Sequence, residues 1–248
     1  MFIKCRSVVF KKLLVFLALF GFSAIPFSGS EWDYKSQDKW MIEDAGEHQS
    51  PIDIVADKVS ENKGLGPIVL HYKDFVFSVE DTGHTVQANL SGSASLNNRP
   101  FKLIQTHFHT PSEHTVNGTQ YPLEAHFVHS ADNGRMAVIG VFFKIGEENP
   151  LFSSIMSNFK KHEKNIVNIE ASVQDFFPKN LSYYHYLGSL TTPPLTENVE
   201  WYILAVPVTV SSSQLEQLKQ FYDNNSHKVQ PLAGRPILMR TSGTGLNF

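Results

Sequence analysis

Three histidines and a glutamate fall within the ten-residue segment QTHFHTPSEH, residues 105–114. If this segment forms a strand, alternate side chains share a face, so His107 and His109 point the same way, with Gln105 beside them. Their backbones are then about 7 Å apart by strand rise, close enough for two imidazoles to bind one ion. The spacing therefore predicts a pair of metal ligands.

A third histidine follows on a segment that we expect to return beside the first. Asn117-Gly118 is a strong hairpin signal, after which the chain runs back along YPLEAHFVHS. Glu124 and His126 share one face of that second strand. If this is the face that carries the first two histidines, three neutral nitrogens meet and the fourth position of a tetrahedral site stays open.

Two polar residues could hold these ligands in place. Gln105 and Glu124 each lie two residues before a candidate ligand and on its face, where they can accept the distal ring N–H and fix the tautomer. The alternative for both is an ordinary polar residue of a strand. Most of the eleven histidines are expected to be structural: His71, His162 and His227 at the surface, and His114 and His129 hydrogen-bonded in the sheet.

The elements that must position these residues are mainly strands, because short segments rich in β-branched and aromatic residues alternate with turn residues. The predicted fold class is mainly β (α+β): a single domain with a large, mostly antiparallel central sheet and a few peripheral helices. We expect one helix to begin with Asn149 as its cap and Pro150 in its first turn. Ser213 and Glu216, at capping-box spacing, predict the start of a second helix.

The first thirty residues differ from the rest of the sequence. Four Lys and Arg residues between positions 4 and 12 precede the apolar run LLVFLALFGFSAI and the small residues SGS, which is typical of a secretory signal. We expect residues 1–30 to be a signal peptide and residues 31–248 to be one exported domain, periplasmic or secreted, without stable membrane insertion. Cys5 is the only cysteine, so the mature chain has neither disulfides nor thiolate chemistry.

The composition points to a small-molecule partner. The chain has 248 residues, a formal net charge of −3 and 18% charged residues, with no basic block beyond its first dozen positions. This profile predicts a globular protein and no electrostatic binding to nucleic acid.

Seven blocks of the sequence resemble the α-class carbonic anhydrases, in the version typical of their bacterial and plant branch. HFHTPSEHTVNG, YPLEAHFVHS and YLGSLTTPPLTENVEW occur in the family's order and separations. QSPIDI, GHTVQ, AVIGVFFKIG and VQPLAGR match the same pattern. The resemblance covers essentially all of residues 31–248, which it identifies as a catalytic domain, and it implies a central sheet of about ten strands.

The resemblance also implies an activity, the zinc-dependent reversible hydration of carbon dioxide to bicarbonate and a proton. In the family, zinc-bound hydroxide attacks carbon dioxide and a histidine carries the proton away. Carried over, His107, His109 and His126 are the Zn²⁺ ligands, with Gln105 and Glu124 behind them. The other implied roles are orientation of the hydroxide by Thr191 and Glu113, proton transfer by His84, a water path lined by Tyr34, Thr82 and Gln87, and substrate binding by Val128, Val138, Leu190, Thr192 and Trp201.

The sequence departs from the family pattern at a few positions. The disulfide usual in exported members is absent, which leaves the source of the added stability open. His185 and Leu187 stand where other residues are more common, and His227 and Lys228 replace a common Arg-Pro. His185 is close enough in sequence to the pocket loop to be a second proton acceptor.

Three alternatives belong to other functional classes. An inactive binding module of the same family would be expected to lack a ligand histidine, and a metal-storage protein would carry dense His or acidic tracts. A zinc protease would have a general base near the metal, commonly in His-Glu-x-x-His, which is absent. Weak esterase activity could accompany the hydratase activity. The sequence leaves the oligomeric state open, a homodimer included.

Overall fold

The computed structural model describes residues 32–40 and 46–242. Most of its secondary structure consists of strands, which form where the sequence alternates between apolar and polar residues. The strands of these residues are β1 (Asp53–Ile54), β2 (Ser60–Glu61), β3 (Ile68–Asp81), β4 (Val86–Leu96), β5 (Arg99–His109), β6 (Thr115–Val116), β7 (Thr119–Gln120), β8 (Leu123–Ser130), β9 (Met136–Ile145), β10 (Lys164–Ile169), β11 (Tyr183–Ser189), β12 (Glu197–Leu204), β13 (Val208–Val210) and β14 (Leu238–Arg240). The α-helices are α1 (Pro150–Asn158) and α2 (Ser212–Lys219), and 3₁₀ helices span Tyr34–Lys39, Ala56–Lys58 and Val173–Phe176. The predicted signal peptide lies outside the described residues.

One large sheet of eleven strands organises the described chain. Ten of its strands follow the order β10-β3-β4-β5-β8-β9-β12-β11-β14-β2, and β13 pairs with β9. The β9–β12, β9–β13 and β2–β14 pairs are parallel, and the other pairs are antiparallel. The predicted fold class, a mainly β protein with a large, mostly antiparallel sheet of about ten strands, is confirmed.

Apolar side chains cover both faces of this sheet. β8 is buried along nearly its whole length, and its successive residues point to opposite faces. Phe127 belongs to a cluster with Phe108 and Phe152 of α1, whereas Val128 belongs to a second cluster with Trp201. The central strands are therefore held from both sides, and side chains that share the face of Val128 have fixed positions.

The two helices begin at side-chain caps. Asn149 caps α1, because its Oδ1 accepts the backbone N–H of Phe152 at 3.0 Å, and Pro150 is the first residue of the helix. The first predicted helix start is thus confirmed.

The predicted start of the second helix is wrong by two residues. The cap of α2 is Ser211, whose Oγ accepts the backbone N–H of Gln214 at 3.2 Å, while Gln214 Oε1 accepts the N–H of Ser211 at 3.0 Å. Ser213 already lies in the first turn. The sequence offers two overlapping capping-box spacings, and the buried Gln214 decides between them because it also donates to the backbone carbonyl of Asn149 at 2.7 Å.

Two of the structural histidines lie elsewhere than expected. His227 is buried, with only 7% of its surface exposed, because its ring packs against Trp40 and its Nδ1 lies 2.9 Å from the carbonyl of Ser50. His114 is buried and hydrogen-bonded, but it lies in the loop before β6 and outside the sheet. The other predictions hold: His129 is buried in β8, and His71 and His162 are exposed.

Candidate active site

Strand register brings the three candidate ligands together. β5 and β8 are antiparallel, with His107 opposite His126 and His109 opposite Glu124. The ring centroids are 4.9 Å apart for His107 and His109, 5.3 Å for His107 and His126, and 4.5 Å for His109 and His126. One nitrogen from each ring lies within 4.8 Å of the others. The face predicted for these histidines on each strand is the same face of the sheet.

Each ring is oriented by a different acceptor on its far side. His107 Nδ1 lies 2.8 Å from Gln105 Oε1, and His126 Nε2 lies 2.9 Å from Glu124 Oε1. His109 Nδ1 lies 2.8 Å from the backbone carbonyl of Asn225. An N–H donated to each acceptor leaves Nε2 of His107 and His109 and Nδ1 of His126 as the lone-pair nitrogens of the site.

Asn225 is a site residue that the sequence analysis missed. It lies 116 residues from His109 and acts through its backbone, so no side-chain pattern announces it. Its side chain fixes the same strand end, since Oδ1 accepts the N–H of Thr110 at 2.8 Å and Nδ2 donates to the carbonyl of Phe108 at 3.0 Å.

The electrostatics of the site favour neutral imidazoles. Burial lowers the pKa of His107 well below its ordinary value of 6.5, and repulsion between the protonated rings adds to this. The same causes lower the pKa of His109 to about 3. Burial also lowers the pKa of His126, although Glu124 opposes the shift. A neutral histidine is the form that binds a metal ion.

One buried nitrogen shows that the three histidines fit a metal ion. Among the described residues, His109 Nε2 is buried and has no hydrogen-bond partner, although a buried polar atom without a partner is costly. Because Nδ1 is hydrogen-bonded to the carbonyl of Asn225, Nε2 is the nitrogen that this ring has free for an ion bound between the three histidines. Three neutral nitrogen donors at such spacing suit Zn²⁺, which then keeps a fourth position for another ligand.

Glu124 is the centre of a buried hydrogen-bond network next to the three histidines. Its Oε1 also accepts from His114 Nδ1 at 2.8 Å, and its Oε2 accepts the backbone N–H groups of Glu113 and His114, each at 2.9 Å. Burial alone would raise the pKa of Glu124, but the neighbouring His114 and His126 rings hold it well below its usual range. The carboxylate is therefore charged, and it holds the ring of His126 firmly.

Glu113 and Thr191 form a second buried pair. The Thr191 side chain lies near the Glu113 carboxyl group and lowers its pKa, and Glu113 Oε1 accepts the backbone N–H of His227 at 2.7 Å. Burial raises the pKa of Glu113, and the neighbouring Thr191 side chain and the N–H of His227 oppose the shift. The pair adjoins the histidines, because Glu113 Oε1 lies 3.3 Å from His109 Nδ1.

The predicted pocket residues lie on the same face. Val128 is opposite Val138, and Val138 pairs with Trp201 on the next strand. Leu190 packs against this cluster, and the ring of Trp201 contacts His126 at a centroid distance of 4.9 Å. Thr192 is half-buried beside the buried Thr191. The structure thus places an apolar wall next to the three histidines.

His84 lies apart from this group, in the turn between β3 and β4. It is half-buried, and its ring stacks on Trp32 at a centroid distance of 3.7 Å. Burial lowers the pKa of His84, and Asp81 and Asp33 oppose this shift. Within the described residues no hydrogen bond joins its ring to the three histidines. Trp32 was missed by the sequence analysis, since nothing in its local pattern marks it.

The residues expected along a water path lie near the three histidines or near His84. The ring of Tyr34 is 6.4 Å from that of His109, and Gln87 is opposite His107 in the sheet. Thr82 Oγ1 donates to the carbonyl of Thr85 and so closes the turn that carries His84. All three are at least partly exposed.

The suggestion that His185 is a second proton acceptor is wrong. His185 pairs with Tyr202 and its neighbour Tyr186 pairs with Trp201, so His185 points to the face opposite the pocket. Its Nδ1 lies 2.9 Å from the carbonyl of Trp201, and burial lowers its pKa.

Comparisons with known proteins agree with one another. A family model described as eukaryotic-type carbonic anhydrase matches residues 30–240. The carbonic anhydrase of Pectobacterium atrosepticum is 35% identical over 214 residues, covering 84% of this chain and 86% of that relative. That of Neisseria gonorrhoeae is 32% identical over 241 residues, covering 91% and 94%. The solved α-carbonic anhydrase from Thermovibrio ammonificans, in complex with the inhibitor sulfanilamide, is similar with a TM-score of 0.80 and 36% identity, covering 85% of this chain and 99% of that chain.

Proposed function

The chain belongs to the α-class carbonic anhydrases and is a carbonic anhydrase, and from this premise we propose that it hydrates carbon dioxide with Zn²⁺ held by His107, His109 and His126. One observation carries the proposal: three imidazoles converge from two strands, and the buried His109 Nε2 has no other partner among the described residues. When bound, Zn²⁺ acts as a Lewis acid and lowers the pKa of a bound water to about 7, an effect for which carbonic anhydrases are the standard example.

We propose that Gln105 and Glu124 set the orientation and basicity of the ligands. Each accepts the distal ring N–H of its histidine, and such partners fix the tautomer that a metal site needs. The charged Glu124 also makes His126 the more basic donor. Asn225 does the same for His109 through its carbonyl.

Thr191 and Glu113 fix the direction of attack in this proposal. In this proposal the Thr191 hydroxyl donates to the neighbouring Glu113 carboxylate, which leaves its oxygen as an acceptor toward the reaction centre. An acceptor at that place selects one orientation of the reacting oxygen, which lowers the entropic cost of reaching the transition state.

We propose that Val128, Val138, Leu190 and Trp201 bind carbon dioxide, with Thr192 at the edge of the same site. Carbon dioxide has no charge and no hydrogen-bond donor, so an apolar wall admits it and holds the charged product weakly. The contact between the Trp201 and His126 rings supports this placement, because it brings the wall against a ligand.

His84 is the proposed proton shuttle. An imidazole with an ordinary pKa near 6.5 accepts and releases protons at similar free energies near neutral pH. The half-buried position of His84 gives its ring access to solvent on one side. Tyr34, Thr82 and Gln87 would border the water path between the site and this ring.

Export of the protein is also a proposal. The basic and apolar N-terminal pattern supports a signal peptide over residues 1–30 and a mature catalytic domain over residues 31–248, in the periplasm or secreted. Its similarity to bacterial carbonic anhydrases is compatible with this location. No helix among the described residues is long and apolar enough to cross a membrane.

Stopped-flow hydration of carbon dioxide tests the proposed function. The purified protein is assayed before and after removal of its metal, and after zinc is restored. We expect metal removal or His107→Ala to lower kcat/KM by roughly 100-fold or more, and His71→Ala, which changes an exposed histidine, to have no effect. Activity that survives both chelation and His107→Ala would refute the zinc mechanism.

A further inference from the structure

A second cavity lies at the opposite end of the strands that carry the histidines. It has a volume of about 460 Å³ and is lined by residues of β4, of the start of β5, of the end of β8 and of the β8–β9 connection. Lys102 and Ser130, which line it, are paired across β5 and β8. Lys102 is five positions from His107 along β5 and Ser130 is four positions from His126 along β8, or about 13–17 Å at strand rise. The cavity is therefore separate from the candidate active site.

The cavity combines an apolar wall with basic side chains. Pro100, Phe101 and Ala131 are among its lining residues, and most of its surface is carbon. Arg99, Lys102 and Arg135 contribute the positive charges. A concave site of a few hundred Å³ with apolar walls and a few polar groups is the usual form of a small-molecule site.

The charges at the cavity do not balance. Arg99 and Arg135 share one carboxylate, that of the buried Glu200, which Arg99 contacts through Nη2 and Arg135 through Nη1 at 3.2 Å. Lys102 pairs with Asp132 at 2.6 Å, and both of these side chains are largely exposed. The cavity therefore has three cationic side chains and two anionic partners, a net charge of +1. This net charge favours an anionic ligand.

Arg135 has the donors to bind that anion. Its guanidinium carries five N–H groups, and its side chain is 48% exposed. Glu200 Oε1 is the only side-chain partner of this guanidinium among the described residues. Arg99 also uses only its Nη2, on Glu200 and Tyr202, but its side chain is 36% exposed against 48% for Arg135, so Arg135 is the more accessible guanidinium. A planar guanidinium binds a carboxylate with two parallel hydrogen bonds.

We propose that this cavity binds a small organic carboxylate with a flat apolar body. The apolar part lies against Pro100 and Ala131, and the carboxylate pairs with Arg135. A strongly hydrated inorganic anion fits less well, because a mainly apolar wall replaces few of its hydrogen bonds with water. One negative charge on the ligand matches the one excess positive charge of the site.

Calorimetric titration of the zinc-loaded protein with 2-naphthoate tests the proposal, with neutral 2-naphthamide as the matched probe. We expect one saturable site for 2-naphthoate, at least tenfold weaker binding in Arg135→Gln, and binding of 2-naphthamide that is weak in both proteins. Ser93→Trp, which fills the cavity without touching Glu200, should abolish the binding of 2-naphthoate. His107→Ala should leave it unchanged, which separates this cavity from the proposed zinc site.

Circular dichroism and the rate of carbon dioxide hydration check that Arg135→Gln and Ser93→Trp are folded. Equal affinity for 2-naphthoate and 2-naphthamide, equal binding by the parent protein and both cavity variants, or loss of binding in His107→Ala would overturn the proposal. So would the absence of saturable binding at millimolar probe. Sedimentation that shows a dimer which Ser93→Trp dissociates would assign the cavity to an interface between copies instead.

Discussion

At the scale of single residues, the candidate site depends on acceptors that lie behind the ligands. His107, His109 and His126 use an amide oxygen, a backbone carbonyl and a carboxylate for the same purpose. Two of these acceptors could be predicted, because Gln105 and Glu124 lie on the same strand face as their histidine, two positions before it. The carbonyl of Asn225 could not, since every residue has a carbonyl and only the folded chain brings this one near.

The acceptor behind His107 should determine metal affinity. We expect Gln105→Leu to weaken zinc binding by roughly ten- to a hundredfold, because the His107 ring loses the partner that fixes its tautomer and orientation. Competition with a zinc chelator measures the change. The exposed Gln174→Leu is the matched control, and equal zinc affinity for the two variants would show that Gln105 is an ordinary strand residue.

Replacement of His84 tests proton transfer separately from binding. In dilute buffer we expect His84→Ala to lower kcat by roughly ten- to a hundredfold with little change in KM, because the missing ring acts after substrate has bound. Added imidazole should restore the rate. Since burial lowers the pKa of His84, the rate of this step in the parent protein should rise with pH around a midpoint below 6.5. A kcat that changes neither with the substitution nor with added imidazole would exclude His84 as the shuttle.

At the scale of elements, register could be predicted better than element ends. The alternation of polar and apolar residues in β5 and β8 fixes which face each side chain takes, and a slip of one residue would move all the ligands to the other face. Helix ends depend on single hydrogen bonds instead. The sequence contains serines at 211 and 213, each three residues before a Gln or Glu, and the contact between Gln214 and Asn149 selects the first of them.

Paired substitutions test this choice of cap. We expect Ser211→Ala to lower the free energy of unfolding by about 1 kcal/mol, because the N–H of Gln214 loses its acceptor. Ser213→Ala removes a hydroxyl from the first turn and should change stability by only a few tenths of a kcal/mol. Urea unfolding measures both. A larger loss of stability for Ser213→Ala than for Ser211→Ala would show that Ser213 is the cap, as predicted from the sequence.

At the scale of the whole molecule, stability depends on two apolar clusters, one on each face of the sheet. The sequence predicted the strand-rich sheet whose faces these clusters cover. It did not predict that His227 is buried, because Trp40 and Ser50, which cover it, are distant in the chain. Burial of a histidine in this way couples the stability of the whole fold to pH.

His129 provides the clearest case of this coupling. Burial lowers its pKa from 6.5 to about 4, so between these values the unfolded chain binds a proton that the folded chain does not. The contribution of His129 is thus fully present above pH 6.5 and is lost as the pH falls toward 4, by up to about 3 kcal/mol. We expect His129→Gln to lose less stability than the parent protein between pH 7 and pH 4.5 in urea unfolding. The exposed His71→Gln should behave like the parent, and an identical pH dependence for all three proteins would contradict the account.

The central claim is that β5 and β8 direct three neutral imidazoles at one zinc ion and leave one position for another ligand. X-ray absorption at the zinc edge measures this coordination most directly. We predict a four-coordinate site with three imidazole nitrogens at about 2.0–2.1 Å and one further oxygen, and loss of one imidazole in His126→Ala. A zinc ion with fewer than three imidazoles in the parent protein, or with four protein ligands and no free position, would contradict the claim.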